Sequence, residues 1–128
     1  MTKKKTAGLH KDAGKSQVES ISPRALLLLG DVLTYGCRKY AKFNWTAGIN
    51  VTQIYASTLR HLLKWYIGKD LDDESGLPHL AHALCDAMFL LEYMDNPRYA
   101  EFDDRPFKRR QHDPRRSVRA SRKHPKGN

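Results

Sequence analysis

Long apolar runs are missing from this chain. The longest, Ala25–Leu29 and Ala87–Leu91, have five residues each, far short of the roughly 18 that a membrane-spanning helix needs. No apolar stretch follows the basic N-terminus, so no secretory signal is expected. Cysteine is scarce. Cys37 and Cys85 are the two present, too few for a disulfide framework or a cysteine-rich zinc site. Both fall in apolar helical patterns and are expected as small buried side chains in a reducing, cytoplasmic setting. Strand-like alternation and internal repeats are also lacking, which leaves helix as the organising element.

Acidic residues are rare at the two ends and concentrated between them. The net charge of +9 comes from 23 Lys and Arg against 14 Asp and Glu. Residues 1–15 hold five Lys and one acid, and residues 105–128 hold ten Lys or Arg and one acid. Residues 16–104 hold eight basic residues and twelve acids. The division implied is a basic N-terminal arm (1–15), a helical domain (16–104) and a basic tail (105–128). The tail has too few apolar residues to offset the entropy of ordering it, so it is expected to be flexible.

Within the domain, Ser22-Pro23 is a capping hydroxyl followed by proline at the first helical position. Leucines then follow at helical spacing to about Lys39. A loop holding Phe43, Asn44, Trp45 and Gly48 leads to a second helix over about 52–67, with Thr52 as its cap. Residues 68–77 form an acidic loop, with four carboxylates in five positions. Pro78 opens a third helix, about 78–95, which Asn96-Pro97 stops. After Pro97 hydrophobicity fades. The expected fold is all-α, a small bundle of three main helices. So thin a core with such broad apolar faces points to completion by homo-oligomerisation.

On the third helix, His79, His82 and Asp86 stand at i, i+3 and i+7 and so share one face. His61 lies on the second helix. Asp70, Asp72, Asp73 and Glu74 occupy the loop between them. Imidazoles with carboxylates at such spacing can hold a divalent metal, and the oxygen donors suit Mg²⁺ or Mn²⁺. The start of the third helix offers N–H groups to a phosphate. The plainer alternative is a solvated turn whose acids complement the helix dipole, beside hydrogen-bonded structural histidines. Lys11, Lys15, Arg38, Lys39 and Arg60 are cations able to face phosphates. Phe43 and Trp45 can stack on a base or plug the core. The basic ends suit nonspecific contact with nucleic acid.

Taken together, several segments carry a resemblance: Lys-Asp-Ala-Gly-Lys (11–15), Tyr-Gly-Cys-Arg-Lys-Tyr (35–40), Asn-Trp (44–45), Leu-Arg-His-Leu-Leu-Lys-Trp (59–65) and the run from Gly68 to Ala83. The chain resembles the phage dATP/dGTP diphosphohydrolase N-terminal domain family, often described as MazG-like. That resemblance implies an all-α, metal-dependent hydrolase, cleaving a purine (d)NTP to (d)NMP and pyrophosphate with Mg²⁺ or Mn²⁺. Asp73, Glu74, His82 and Asp86 would then be metal ligands, and His61, His79 and Glu74 catalytic groups. Lys11, Lys15, Lys39 and Arg60 would bind phosphates, and Asn44 and Trp45 the base or sugar. The chain departs from MazG-type enzymes in lacking their paired glutamates: no carboxylate lies between Thr52 and Gly68. A noncatalytic nucleotide-sequestering protein therefore stands as the alternative, with a nucleic-acid accessory protein acting through the basic tails as a third.

Overall fold

The computed structural model describes Gly8 and residues 13–108. Its elements are α1 (Pro23–Lys39), α2 (Val51–Tyr66) and α3 (His79–Tyr93), with short 3-10 turns at Val18–Ser20, Asn44–Ala47 and Pro97–Phe102. The fold is a small all-α bundle. Lys11 and residues 109–128 lie outside the described residues, and with them most of the basic tail.

α1 starts as its sequence dictates. The Ser22 side chain accepts the Ala25 N–H at 3.1 Å and Pro23 takes the first helical position, where its missing N–H costs nothing. α2 differs from expectation. Thr52 is its second residue rather than its cap, and the Thr52 N–H donates to the Asp104 carboxylate at 2.9 Å. A side chain 52 positions away thus does the work of an N-cap, which local sequence cannot reveal. α3 is shorter than expected at both ends. Pro78 precedes it, with ψ 135, and the His79 N–H donates to the Asp70 carbonyl at 2.8 Å. That donor is spoken for and not open to a phosphate.

α3 lies against both α1 and α2. Val32, Ala81 and Cys85 form one buried cluster with Leu28, Leu29 and Leu33 around it. Ile54, Tyr93 and Tyr99 form the other, with Trp45, Leu90 and Phe102 around it. Phe89 packs against both clusters. Ile54, near the start of α2, meets Tyr93 at the end of α3, so the two helices run antiparallel.

One expectation about burial needs correction, and one segment buries more than its composition suggests. The segment after Pro97 still feeds the core: Tyr99 is buried, and its hydroxyl donates to the Thr46 carbonyl at 2.9 Å. Two aromatics in six residues suffice there, although the mean hydropathy falls. Cys37 is exposed while Cys85 is buried. At 100° per residue Cys37 sits about 140° around α1 from the buried Val32, on the outward side.

Candidate functional site

The α2–α3 connection is a folded turn. Leu71 and Pro78 pair as an isolated antiparallel bridge. The Asp72 N–H donates to the Leu77 carbonyl and the Gly76 N–H to the Asp72 carbonyl, both at 2.8 Å. Gly76 sits at φ +73, in the left-handed region that glycine adopts most cheaply. Within the turn, Asp72 Oδ2 accepts the Ser75 N–H at 2.9 Å and the Ser75 hydroxyl at 2.8 Å. An aspartate that bonds back onto its own turn fixes the turn's direction. Asp72 and Ser75 therefore point inward, and Asp73 and Glu74 point out.

The inward side meets the histidines. His79 is fully buried. Its Nδ1 lies 2.8 Å from the Nδ1 of His61 on α2, and its Nε2 is buried without a hydrogen-bond partner. The His61 ring stacks on that of His82 at 4.6 Å between centroids, 7° from parallel. His82 Nε2 lies 2.7 Å from Ser75 Oγ. His61, Asp72 and His79 each offer a ligand atom, all within 4.8 Å of one another.

The protonation pattern follows from these contacts. Burial pushes the Asp72 carboxyl up, but the Ser75 hydrogen bonds and the neighbouring imidazoles outweigh it, so its pKa is lowered. Asp72 is thus ionised and can only accept, and the single Ser75 hydroxyl proton goes to it. Ser75 Oγ must then accept from His82, which carries its proton on Nε2 and keeps the lone pair on Nδ1. Burial lowers the His82 pKa. Burial and the two other imidazoles lower that of His61 to about 4. Near neutral pH both rings are uncharged and able to donate a lone pair.

The remaining candidate residues divide by position. Asp73 is exposed and ion-paired with Lys69. Glu74 is exposed and pairs with Lys39 at 3.0 Å, at the end of α1. Neither belongs to the 4.8 Å set, because the turn faces them outward, although Glu74 also bonds Tyr35 and its charge is felt at His82. Tyr35 of α1 lies edge-on to His82 with centroids 6.2 Å apart, so the α1 C-terminus forms a rim carrying Lys39. Asp86 sits between α3 and α2. Burial raises its carboxyl against the Ser57 hydrogen bond and the Arg60 charge, and its Oδ2 lacks a partner. Asp86 and His82 both fall outside the 4.8 Å set. Arg60, Lys15 and Asn44 are exposed. Trp45 stacks on Phe89 at 5.3 Å and its carbonyl accepts the Tyr93 hydroxyl, which makes it a core plug. From sequence Asp72 is one of four loop carboxylates, not set apart from Asp73 and Glu74, and Ser75 has no assigned role. The available signal was the Asp-x-x-Ser-Gly spacing of a self-bonded turn.

A family model for the N-terminal part of dATP/dGTP diphosphohydrolases matches residues 5–105. The chain belongs to that family. A "dATP/dGTP diphosphohydrolase" of Salmonella phage PMBT28 is 35% identical to it over 89 residues. The aligned region covers 70% of this chain but 30% of that relative, so the chain spans less than a third of the curated protein it matches. No solved structure matches it.

Proposed function

We propose that this chain hydrolyses a purine (d)NTP to (d)NMP and pyrophosphate at the His61–Asp72–His79 cluster. The observation that carries the reading is the convergence of three imidazoles and one ionised carboxylate where α2 ends and α3 begins, in a chain of the diphosphohydrolase family. Two imidazoles whose Nδ1 atoms face each other at 2.8 Å, with a carboxylate completing a set of ligand atoms within 4.8 Å, are donors that fit a divalent cation. Such a cation supplies positive charge against phosphate oxygens and acidifies water.

The protein's own groups supply the rest. His82 Nδ1 takes the proton from the attacking water, because Ser75 holds the ring with its proton on Nε2. The water adds across the α–β anhydride, the bridging P–O bond breaks, and pyrophosphate leaves. Lys39 lies one helical turn from Tyr35, whose ring meets His82 edge-on, and can exchange Glu74 for a phosphate oxygen. Incubation of the full chain with dATP or dGTP and Mn²⁺ or Mg²⁺ tests this. Expected is release of monophosphate and pyrophosphate, falling by about 10²-fold or more in His82→Ala and Asp72→Asn with helical circular dichroism retained. Intact nucleotide recovered under every metal refutes hydrolysis, and tight binding without turnover would favour the sequestering alternative.

The same reading includes self-association. Tyr55, Leu59, Leu62 and Tyr66 on α2 are exposed at 4-3-4 spacing, and Leu80, Leu84 and Leu91 on α3 are exposed at 4-7 spacing. This is the rhythm of helix-bundle seams. Their exposed surface is roughly 700 Å², in the range of about 600–1,000 Å² that each partner of a stable interface buries. The seams hold no charged residue, and the Lys- and Arg-rich residues 109–128 lack the large apolar side chains to cover them. A second copy is the occupant that fits, closing two α2–α3 hairpins into four helices. Light scattering of the full chain reads this directly: a dimer or larger is expected, shifted toward monomer by Leu62→Glu, and a monomer at all concentrations refutes it.

A further inference from the structure

We infer that the cation held by His61, His79 and Asp72 is a first-row transition ion, of the Mn²⁺, Co²⁺, Ni²⁺ or Zn²⁺ class, in preference to Mg²⁺. The inference extends the cation site of the proposed hydrolase, and its test is independent of turnover. The loop carboxylates that sequence reading nominated beside Asp86, namely Asp73 and Glu74, would make an oxygen-rich site suited to Mg²⁺. The folded turn sends both outward, to Lys69 and Lys39. What it leaves facing inward is two imidazoles and one carboxylate. Imidazole nitrogen binds late first-row ions far better than Mg²⁺, which prefers oxygen donors and retains its water.

The geometry agrees with the donor chemistry. The His61 and His79 Nδ1 atoms are 2.8 Å apart. Metal–nitrogen bonds of about 2.0–2.1 Å place neighbouring ligand atoms about 2.9 Å apart at a right angle and about 3.4 Å apart in a tetrahedron. The pair already stands at the separation of adjacent positions around one ion. The helices fix that separation: His79 is fully buried in the first turn of α3, and His61 is clamped on its other side by the His82 ring. Without an ion the two nitrogens share one proton.

Isothermal titration calorimetry of the metal-free full chain with MnCl₂, CoCl₂, ZnCl₂ or MgCl₂ decides the matter. Expected are dissociation constants at least about tenfold lower for the transition ions than for Mg²⁺. Asp72→Asn and His61→Ala should each weaken the tight phase tenfold or more, and Asp73→Asn should not. His10, His112 and His124 also offer imidazoles, so the site is read as the binding lost in those two variants. His79→Ala removes a fully buried side chain, which is why Asp72→Asn, of unchanged size, carries the test. Equal affinity for Mg²⁺, unchanged binding in Asp72→Asn, or loss in Asp73→Asn overturns the assignment. A chain that binds Mn²⁺ as expected but turns over no nucleotide keeps this site and loses the hydrolase reading.

Discussion

Replacing Ser75 with alanine probes the hinge of the whole site. The Ser75 hydroxyl donates to Asp72 Oδ2 at 2.8 Å, accepts from His82 Nε2 at 2.7 Å and accepts the Leu77 N–H at 3.2 Å. A hydrogen bond to a charged group contributes about 1.5–3 kcal/mol and a neutral one about 0.5–1.5 kcal/mol. The side chains of Asp72 and His82 retain 17% and 12% of their exposure, so water recovers part of the loss. The expected net cost is about 2–3 kcal/mol, measured by urea unfolding of the full chain. The more telling readout is the His82 tautomer, seen by nitrogen NMR of the imidazole. In the parent chain it should be protonated on Nε2. In Ser75→Ala that constraint is gone, and the Nδ1 form should appear. A cost under about 0.5 kcal/mol, or a parent His82 protonated on Nδ1, would refute the hydrogen-bond direction on which the base assignment depends.

Three further outcomes test the scaffold. Gly48 stands at φ +107, and a Cβ there would lie 2.2 Å from the Phe102 ring; Gly48→Ala should cost about 2–4 kcal/mol in urea unfolding, from backbone strain plus overpacking. Asp104→Ala should lower the urea midpoint by removing the remote cap of α2, and Asp104→Asn should recover part of the loss. Arg105 and Lys108 hold the Asp103 carboxyl well below the usual carboxylate range. A depressed carboxylate contributes stability that is complete above its unfolded value near 4 and is lost as pH falls through the folded value. The melting temperature should therefore decline more steeply below pH 4 in the parent than in Asp103→Asn, and parallel profiles would contradict the pairing.

The helices were legible because their determinants are local. Ser22-Pro23 starts α1, the apolar periods mark all three helices, and the last has ended shortly before Asn96-Pro97. His79 and His82 could be placed on one face because helical spacing alone decides that. The partners across the bundle could not. That His61 meets His79, that Asp104 caps α2 and that Tyr99 fills the core all depend on contacts between segments 18 to 53 residues apart. The acidic loop shows the limit most clearly. Composition makes Asp72, Asp73 and Glu74 equivalent, three carboxylates in a row. Only the turn, closed by Ser75 and Gly76 and pinned by the Leu71–Pro78 bridge, aims the first at the imidazoles and turns the other two to solvent. Sequence by itself determined that this is a small helical chain with histidines and acids gathered at one connection. The tertiary structure decided which acid faces inward, because the backbone hydrogen bonds of one short turn set the direction of each side chain in it.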